Sequence, residues 1–498
     1  MSATRSDIPS NWLPERLATP GALTLGAGAL AAFGVIALGL TMSGLAGLVG
    51  LADHLGAWLM LLPAVAAGMY LSWRHERFWI YTAVIAHLAM FMSQTNEGIG
   101  GGEIAFIGVA LGGLCLWFFK EVVVHRRLVV RTGFDALLIS TFLLTSIVAL
   151  IANRLHDGEL LRYFKEWTPM LDLLLYFPLR SMLKTRRDVY RMLTVLGILG
   201  VVIGVIGVAT YRERLMTAVF AYQIEHSRVF ANEPVNIIFA ILGVVVVAYA
   251  RTKWMYLLGA LLTTSGMLFL FITFSRGSIV SAFVGIIVVM VFSGHGRRIL
   301  LVLIASLVIG SGLVYMTYPT IAKTMATSVG RRLGTVGSTM TDVSFNLRVI
   351  EANTILRHYV PFSPLIGHGL GVTYHWYDPT EHATATTSFV HNGYVRLVFK
   401  YGYPLAVLFL FFLAYPLLRI LLSWPSRRDP VLHALVIGCG AYLVTTLVNN
   451  YVSDMFSHYS GPLNFALCWA ILDFVNRQTR PATAPTPESS TTLAAAGA

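Results

Sequence analysis

The chain has 498 residues, of which 56% are hydrophobic and only 12% charged, with a mean hydropathy of +0.70 and a formal net charge of +12. A soluble domain of this length could not hide so much apolar surface, so lipid is the solvent for most of it. The positive charge is spread along the chain in short clusters and not gathered on one face, which argues against a nucleic-acid partner.

Residues 1–20 mix Arg5, Asp7, Glu15 and Arg16 with three prolines and read as a cytoplasmic segment ahead of an uncleaved first span. Apolar runs then predict helices near 21–42, 55–73, 78–95, 104–119, 134–153, 167–183, 192–211, 235–250, 254–273, 278–293, 299–318, 393–418, 431–451 and 461–476. Many of these runs reach the roughly 20 residues that a helix needs to cross about 30 Å of hydrocarbon. The fold class expected is all-α: a polytopic, GT-C-like membrane protein of about 14 transmembrane helices, with one large, partly helical periplasmic loop. Residues 21–318 hold helices 1–11, 319–392 the loop, 393–476 helices 12–14, and 477–498 a disordered cytoplasmic tail of Pro, Thr, Ser and Ala with too little bulk to fold.

Orientation follows from the basic residues. With the amino terminus inside, Arg74/Arg77, Lys120 to Arg131, Lys184 to Arg191, Arg251/Lys253, Arg297/Arg298 and Arg427/Arg428 all fall on cytoplasmic turns, as the positive-inside bias requires. Cys115, Cys439 and Cys468 lie inside apolar runs and read as small core side chains, with no disulfide framework or metal site implied.

The long outward segment 319–392 is where chemistry is expected. Asp342 can cap a helix running to about Arg357, along which Arg348, Ala352, Ile355 and Tyr359 share one face. Next comes the glycine-rich run Pro364 to Gly371, which serves either as a plain turn or as a place where backbone approaches a ligand. Three features break the charge economy. Arg276, in the outer turn Ser275-Arg276-Gly277-Ser278, sits near the membrane boundary, where it either snorkels to headgroups or holds an anion. Arg228 and Arg348 lie in outer loops that could fold toward it, and converging guanidinium forks suit a diphosphate. The competing reading of Arg348 is an exposed pair with Glu351 one helical turn away. His391, in Ser388-Phe389-Val390-His391-Asn392-Gly393-Tyr394, is either structural or a group that can take a proton from a sugar hydroxyl near neutral pH. His368, His375 and His382 share the loop but match no familiar metal spacing, and no Asp-x-Asp pair is present, so neither a metal nor a cofactor is expected.

Arg228 with Pro234 and Asn236, the Ser275 to Ser278 turn, Arg348, Pro364 to Gly371 and His391-Asn392-x-Tyr394, in that order, resemble the O-antigen ligase and polymerase superfamily over roughly residues 220–410. One departure is Lys400, at a position that is often acidic in the family. The resemblance implies an inner-membrane glycosyltransferase whose donor is a glycan on undecaprenyl diphosphate, working at the periplasmic face without metal and with inversion. It assigns His391, Arg276 and Arg348 to catalysis, and Arg228, Arg276, Arg348, Asn392 and Tyr394 to binding of diphosphate or glycan. The acceptor is another lipid-linked glycan for a polymerase or lipid A core for a ligase; a chain-length regulator or export proteins are conceivable partners. A transporter of lipid-linked sugars is the alternative of a different class, and no internal repeat of the kind transporters carry is evident.

Overall fold

The computed structural model describes residues 55–90, 101–217, 233–273, 275–317, 343–380, 382–423, 429–456 and 461–479. The expected first span at 21–42 and the end of the tail lie outside them. The helices in chain order are α1 (Leu55–Arg74), α2 (Glu76–Met90), α3 (Gly101–Phe119), α4 (Gly133–Leu155), α5 (Leu160–Trp167), α6 (Tyr176–Met182), α7 (Arg186–Thr217), α8 (Glu233–Tyr249), α9 (Lys253–Thr273), α10 (Arg276–Ser293), α11 (Gly296–Thr317), α12 (Val343–His358), α13 (Gly393–Ser423), α14 (Pro430–Asn449) and α15 (Gly461–Thr479). Among the described residues, four stretches are long and apolar enough to cross a membrane: Ile107–Val124, Gly133–Leu155, Gly393–Leu418 and Pro430–Asn449. Asn236–Tyr249 and Gly277–Ser293 are shorter apolar helices, so these helices do not establish a count of about 14 spans.

Two expectations need correction. The run 167–183 is no single helix: α5 passes into a 3₁₀ stretch, Thr168–Leu175, before α6 resumes. Pro169, at the start of that stretch, brings no backbone N–H to an i→i+4 ladder, and the residues from Pro169 to Leu175 are all buried, so packing holds the tighter winding. The large loop, expected to be partly helical, also contains an antiparallel hairpin of β1 (Tyr374–Asp378) and β2 (Ala383–Thr387), with Tyr374 opposite Thr387 and Asp378 opposite Ala383. Aromatic and threonine side chains on a half-covered face favour extended pairing over helix.

Four helices run between the same two ends of the molecule. α4 begins beside Arg180, through Asp135, and finishes at His156, which stacks on His368 of the large loop at 4.3 Å. α13 begins at the loop's return and carries Tyr415 to a stack on Phe134 of α4 at 6.0 Å. α14 is capped at its start by Asp429, which also pairs with Arg186, and it ends at Asn449. α15 starts near Phe456, whose ring meets Tyr394, and ends with Asp473 and Arg477 beside Arg180. One end therefore collects the loop, and the other collects Arg180, Lys184, Arg186 and Arg477. An aromatic cluster of Phe134, Tyr176, Phe412 and Trp469 fills the bundle near the second end, with ring centroids 4.6 to 6.1 Å apart.

The glycine-rich run fixes the loop to this frame. α13 is broken at Gly402 (φ 76°, ψ 170°), which frees backbone groups inside the protein. The run supplies partners for them: His368 N donates to Phe399 O (2.7 Å), Gly369 N to Lys400 O (3.0 Å), and Tyr403 N to Pro364 O (2.8 Å). Gly369 (φ 87°) sits so close to α4 that a Cβ there would lie 2.3 Å from Asn153 N, and Asn153 Nδ2 donates to Leu370 O at 2.6 Å. The backbone approached is the protein's own, and the run is a clamp between α4 and α13. Gly369→Ala is expected to lower stability by about 2 kcal/mol or more, from left-handed strain plus overpacking. Gly133→Ala, where a Cβ meets nothing within 4 Å, should be neutral within about 0.5 kcal/mol; thermal unfolding in detergent compares the two.

Candidate active site at the loop end

The turn after α14, residues 449–454, is the point on which the site assembles. Asn449 Nδ2 donates to Ser278 Oγ in the first turn of α10 (3.4 Å), and a Cβ on Gly277 would lie 2.2 Å from Val452, so α10 meets the turn almost backbone to side chain. Arg348 Nη1, from α12, donates to Val452 O at 2.7 Å. Asn392 Nδ2 donates to Tyr451 O (3.0 Å), Gly393 N to Asn450 O (2.8 Å), and Tyr394 Oη to Leu447 O (2.6 Å). α10, α12 and the start of α13 thus meet on this six-residue turn and the last turn of α14 before it.

His391 stands at this junction with its ring held from behind. Its Nδ1 lies 3.0 and 3.2 Å from the two carboxylate oxygens of Glu351, and its backbone N donates to the same carboxylate at 3.2 Å. Glu351 is 1% exposed and accepts a further, short hydrogen bond from the Tyr374 hydroxyl. Burial, and then the Glu351 charge beside it, raise the Tyr374 phenol far above its ordinary value, so it stays a donor. The His391 side chain is 45% exposed. A carboxylate that accepts a hydrogen bond from Nδ1–H leaves Nε2 as the basic nitrogen of the ring, the arrangement that orients a general base in hydrolytic triads.

Behind the histidine lies a balanced cluster of charges. Arg396 pairs with Asp454 (3.0 Å) and Glu166 (3.5 Å), and Lys400 Nζ lies 3.2 Å from Glu166 while donating to Val372 O at 2.9 Å. Lys400 is 0% exposed. Burial pushes the Glu166 carboxyl up, but Lys400 and Arg396 pull it further down, so it is ionised and answers both cations. Lys400 is therefore matched by an acid on α5, and local charge balance is kept. Arg396 also lies over the Phe389 ring (5.8 Å), which meets His391 edge-on at 5.1 Å. The cluster therefore braces the segment that carries the histidine.

Of the residues singled out in the sequence, Arg348, His391, Asn392 and Tyr394 come together here. Arg276 opens α10 beside them, though its side chain, like the whole of Arg228, lies outside the described residues, as does Asp342. Arg348 and Glu351 do not form an exposed pair: Glu351 turns inward to His391. Asn392 Oδ1 accepts from Tyr394 N (3.0 Å) and Val395 N (3.1 Å), capping α13, so its polar atoms and the Tyr394 hydroxyl serve the frame. His368, His375 and His382 occupy separate places: a ring stack, a bond from β1 to Thr386 (2.8 Å), and the hairpin turn. Among the described residues no three His, Cys, Asp or Glu side chains form a metal-ligand group. Glu351, Tyr374, Glu166 and Asp454 were missed. The polar Asn449-Asn450 pair closing an apolar run, followed by Asp454, was the one local signal of the turn.

Residues 260–410 match the family model described as O-antigen ligase, a range that takes in Arg276, Arg348, Glu351, the glycine clamp and His391. That match supports the likeness of this stretch of the chain to the O-antigen ligase and polymerase superfamily. The superfamily's work is of the glycosyltransferase kind, on lipid-linked glycans and their acceptors, and the apolar helices agree with a membrane protein. A search of characterised proteins returned no match to this chain.

His368 provides a check on the clamp. Burial, with His156 and Lys400 beside it, holds its imidazole down at about 4 against an ordinary 6.5. The unfolded chain therefore binds the extra proton first, and the clamp's stability is full above pH 6.5 and lost as pH falls toward 4. His368→Phe should keep the stack with Phe399 and remove on the order of 3 kcal/mol of acid destabilisation. Unfolding midpoints at neutral and acid pH measure this.

Proposed function

We propose that the protein is an inner-membrane glycosyltransferase that moves a glycan from undecaprenyl diphosphate to a sugar hydroxyl at the periplasmic face. The observation that carries this reading is the half-exposed imidazole of His391 held on the buried carboxylate of Glu351, beside Arg348, at the end of the bundle away from the basic turns. By the positive-inside bias, that end faces outward. His391 Nε2 takes the proton of the acceptor hydroxyl as its oxygen attacks the anomeric carbon. The bond from that carbon to the diphosphate oxygen breaks, the electron pair stays on the diphosphate, and the configuration inverts. Arg348 and Arg276, with Arg228, are the guanidinium groups proposed to stabilise the charge on the leaving diphosphate. Asn392, on the 449–454 turn, and Tyr394, on Leu447 at the end of α14, act by holding the histidine segment in place. No step needs a nucleotide or a metal. The acceptor is a second lipid-linked glycan or lipid A core, and the same chemistry serves either.

Purified protein incubated with lipid-linked oligosaccharide and acceptor is expected to release undecaprenyl diphosphate and to yield a longer or relocated glycan. Lipid carried across a vesicle with its glycan unchanged would instead indicate transport. His391→Ala should lower turnover by roughly a hundredfold to ten-thousandfold, and Arg348→Ala or Arg276→Ala by roughly a hundredfold to a thousandfold. Glu351→Gln, which keeps the shape but presents the wrong partner to Nδ1, should cost on the order of a hundredfold in kcat with KM little changed. Full turnover in His391→Ala at neutral pH would remove the general base.

A further inference from the structure

A polar cavity of about 460 Å³ lies at the end of the molecule remote from His391. α4 links the two ends, and its 23 residues at 1.5 Å each put them about 34 Å apart. The cavity is walled by α2, α3, α6, the end of α15 and the segment after α3. There the helix widens to an i→i+5 turn at Lys120–Val124, and the chain reverses at Arg126 (φ 51°), which brings Arg127 N onto Glu121 O at 2.8 Å. Six cations line it, Arg77, Arg127, Arg131, Arg180, Lys184 and Arg477, against two acids, Glu76 and Glu121.

The carboxylates nearby are largely committed. Asp135 and Asp473 hold Arg180, Asp473 also holds Arg477 (2.9 Å), and Glu76 accepts from Trp117 Nε1 (2.9 Å) and Ser181 Oγ (3.0 Å). Arg127 reaches Glu121 only at 3.8 Å, Arg131 Nε spends itself on Leu128 O, and Lys184 has no ion pair among the described residues. All three are exposed. Phe119, Val123, Val124 and Leu128, on the segment that supplies Glu121, Arg127 and Arg131 to the cavity, are also exposed, so apolar surface lies on the same stretch of chain.

We infer that this cavity is a binding site for a phosphate-ester anion, with that exposed apolar stretch suited to the chains of an anionic phospholipid whose headgroup enters between Arg127, Arg131 and Lys184. Guanidinium and ammonium donors with weak or absent carboxylate partners gain most from phosphate oxygens. A basic pocket between helices at the positively charged membrane edge is a setting in which anionic headgroups bind. The site is independent of the glycan-transfer reading, because none of its residues belongs to the His391 junction.

The test titrates the full chain in neutral detergent with short-chain phosphatidylglycerol, short-chain phosphatidylcholine and inorganic phosphate. Phosphatidylglycerol should bind saturably and at least about tenfold more tightly than phosphatidylcholine. Arg127→Gln combined with Lys184→Gln should weaken it by at least about tenfold, with Arg127→Lys retaining most of the affinity and all variants keeping the wild-type unfolding midpoint. Phosphate that displaces the lipid at equal concentration identifies the phosphate group alone as what is read; phosphate that fails to do so adds the acyl chains. Equal affinity for the two lipids, or wild-type affinity in the folded double variant, overturns the site.

Discussion

A buried carboxylate must be given donors, and the loop end of this protein is organised around meeting that demand at Glu351. Its oxygens accept from the His391 ring, the His391 backbone and the Tyr374 hydroxyl, which come from the return to α13 and from β1. Removing any one of these would weaken the compensation of a buried charge, so the carboxylate dictates where the hairpin, α12 and the start of α13 meet. Directional holding of an imidazole is the consequence. The histidine gains a fixed tautomer and a basic nitrogen from contacts that the fold needs anyway.

The second constraint is the broken backbone of α13. A helix that kinks inside the protein exposes carbonyls that lipid cannot satisfy, and the run Pro364 to Gly371 satisfies them from outside the helix. Three glycines in that run have positive φ, and their closeness to α4, α5 and α13 leaves no room for side chains. The loop is thereby rigidly indexed to the bundle. The charges of Glu166, Arg396, Lys400 and Asp454 extend that indexing beneath His391. Replacing Glu166 alone would leave the fully buried Lys400 without its carboxylate, which is far costlier than losing the pair as a whole.

Much of this was legible along the chain, because apolar length and the placement of Lys and Arg report directly on the solvent each segment meets. The helices at 55–73, 134–153, 393–418 and 431–451 and the helix before Arg357 are found where hydropathy and spacing put them. The identity of the histidine and of Arg348 as neighbours followed from ordered motifs. A spacing of three residues on a helix offers Glu351 only as a local partner for Arg348, the competing reading, whereas its burial is decided by the hairpin that covers it. Glu166 and Lys400 are 234 positions apart, and nothing local announces their pairing. The hairpin was missed because Ala383 to Thr387 is too short and too polar to compete with the helical signals around it. The glycine run was ambiguous for a physical reason: tight backbone approach looks the same in sequence whether the neighbour is a ligand or a helix.

The most direct examination of the account is the protonation of the His391 ring, read by nitrogen NMR on protein carrying labelled histidine and assigned by the signal lost in His391→Asn. The account requires the neutral ring to carry its proton on Nδ1, hydrogen-bonded to Glu351, with Nε2 bare. A neutral ring protonated on Nε2 would show that the carboxylate does not hold the histidine as described, and the general-base assignment would fall with it.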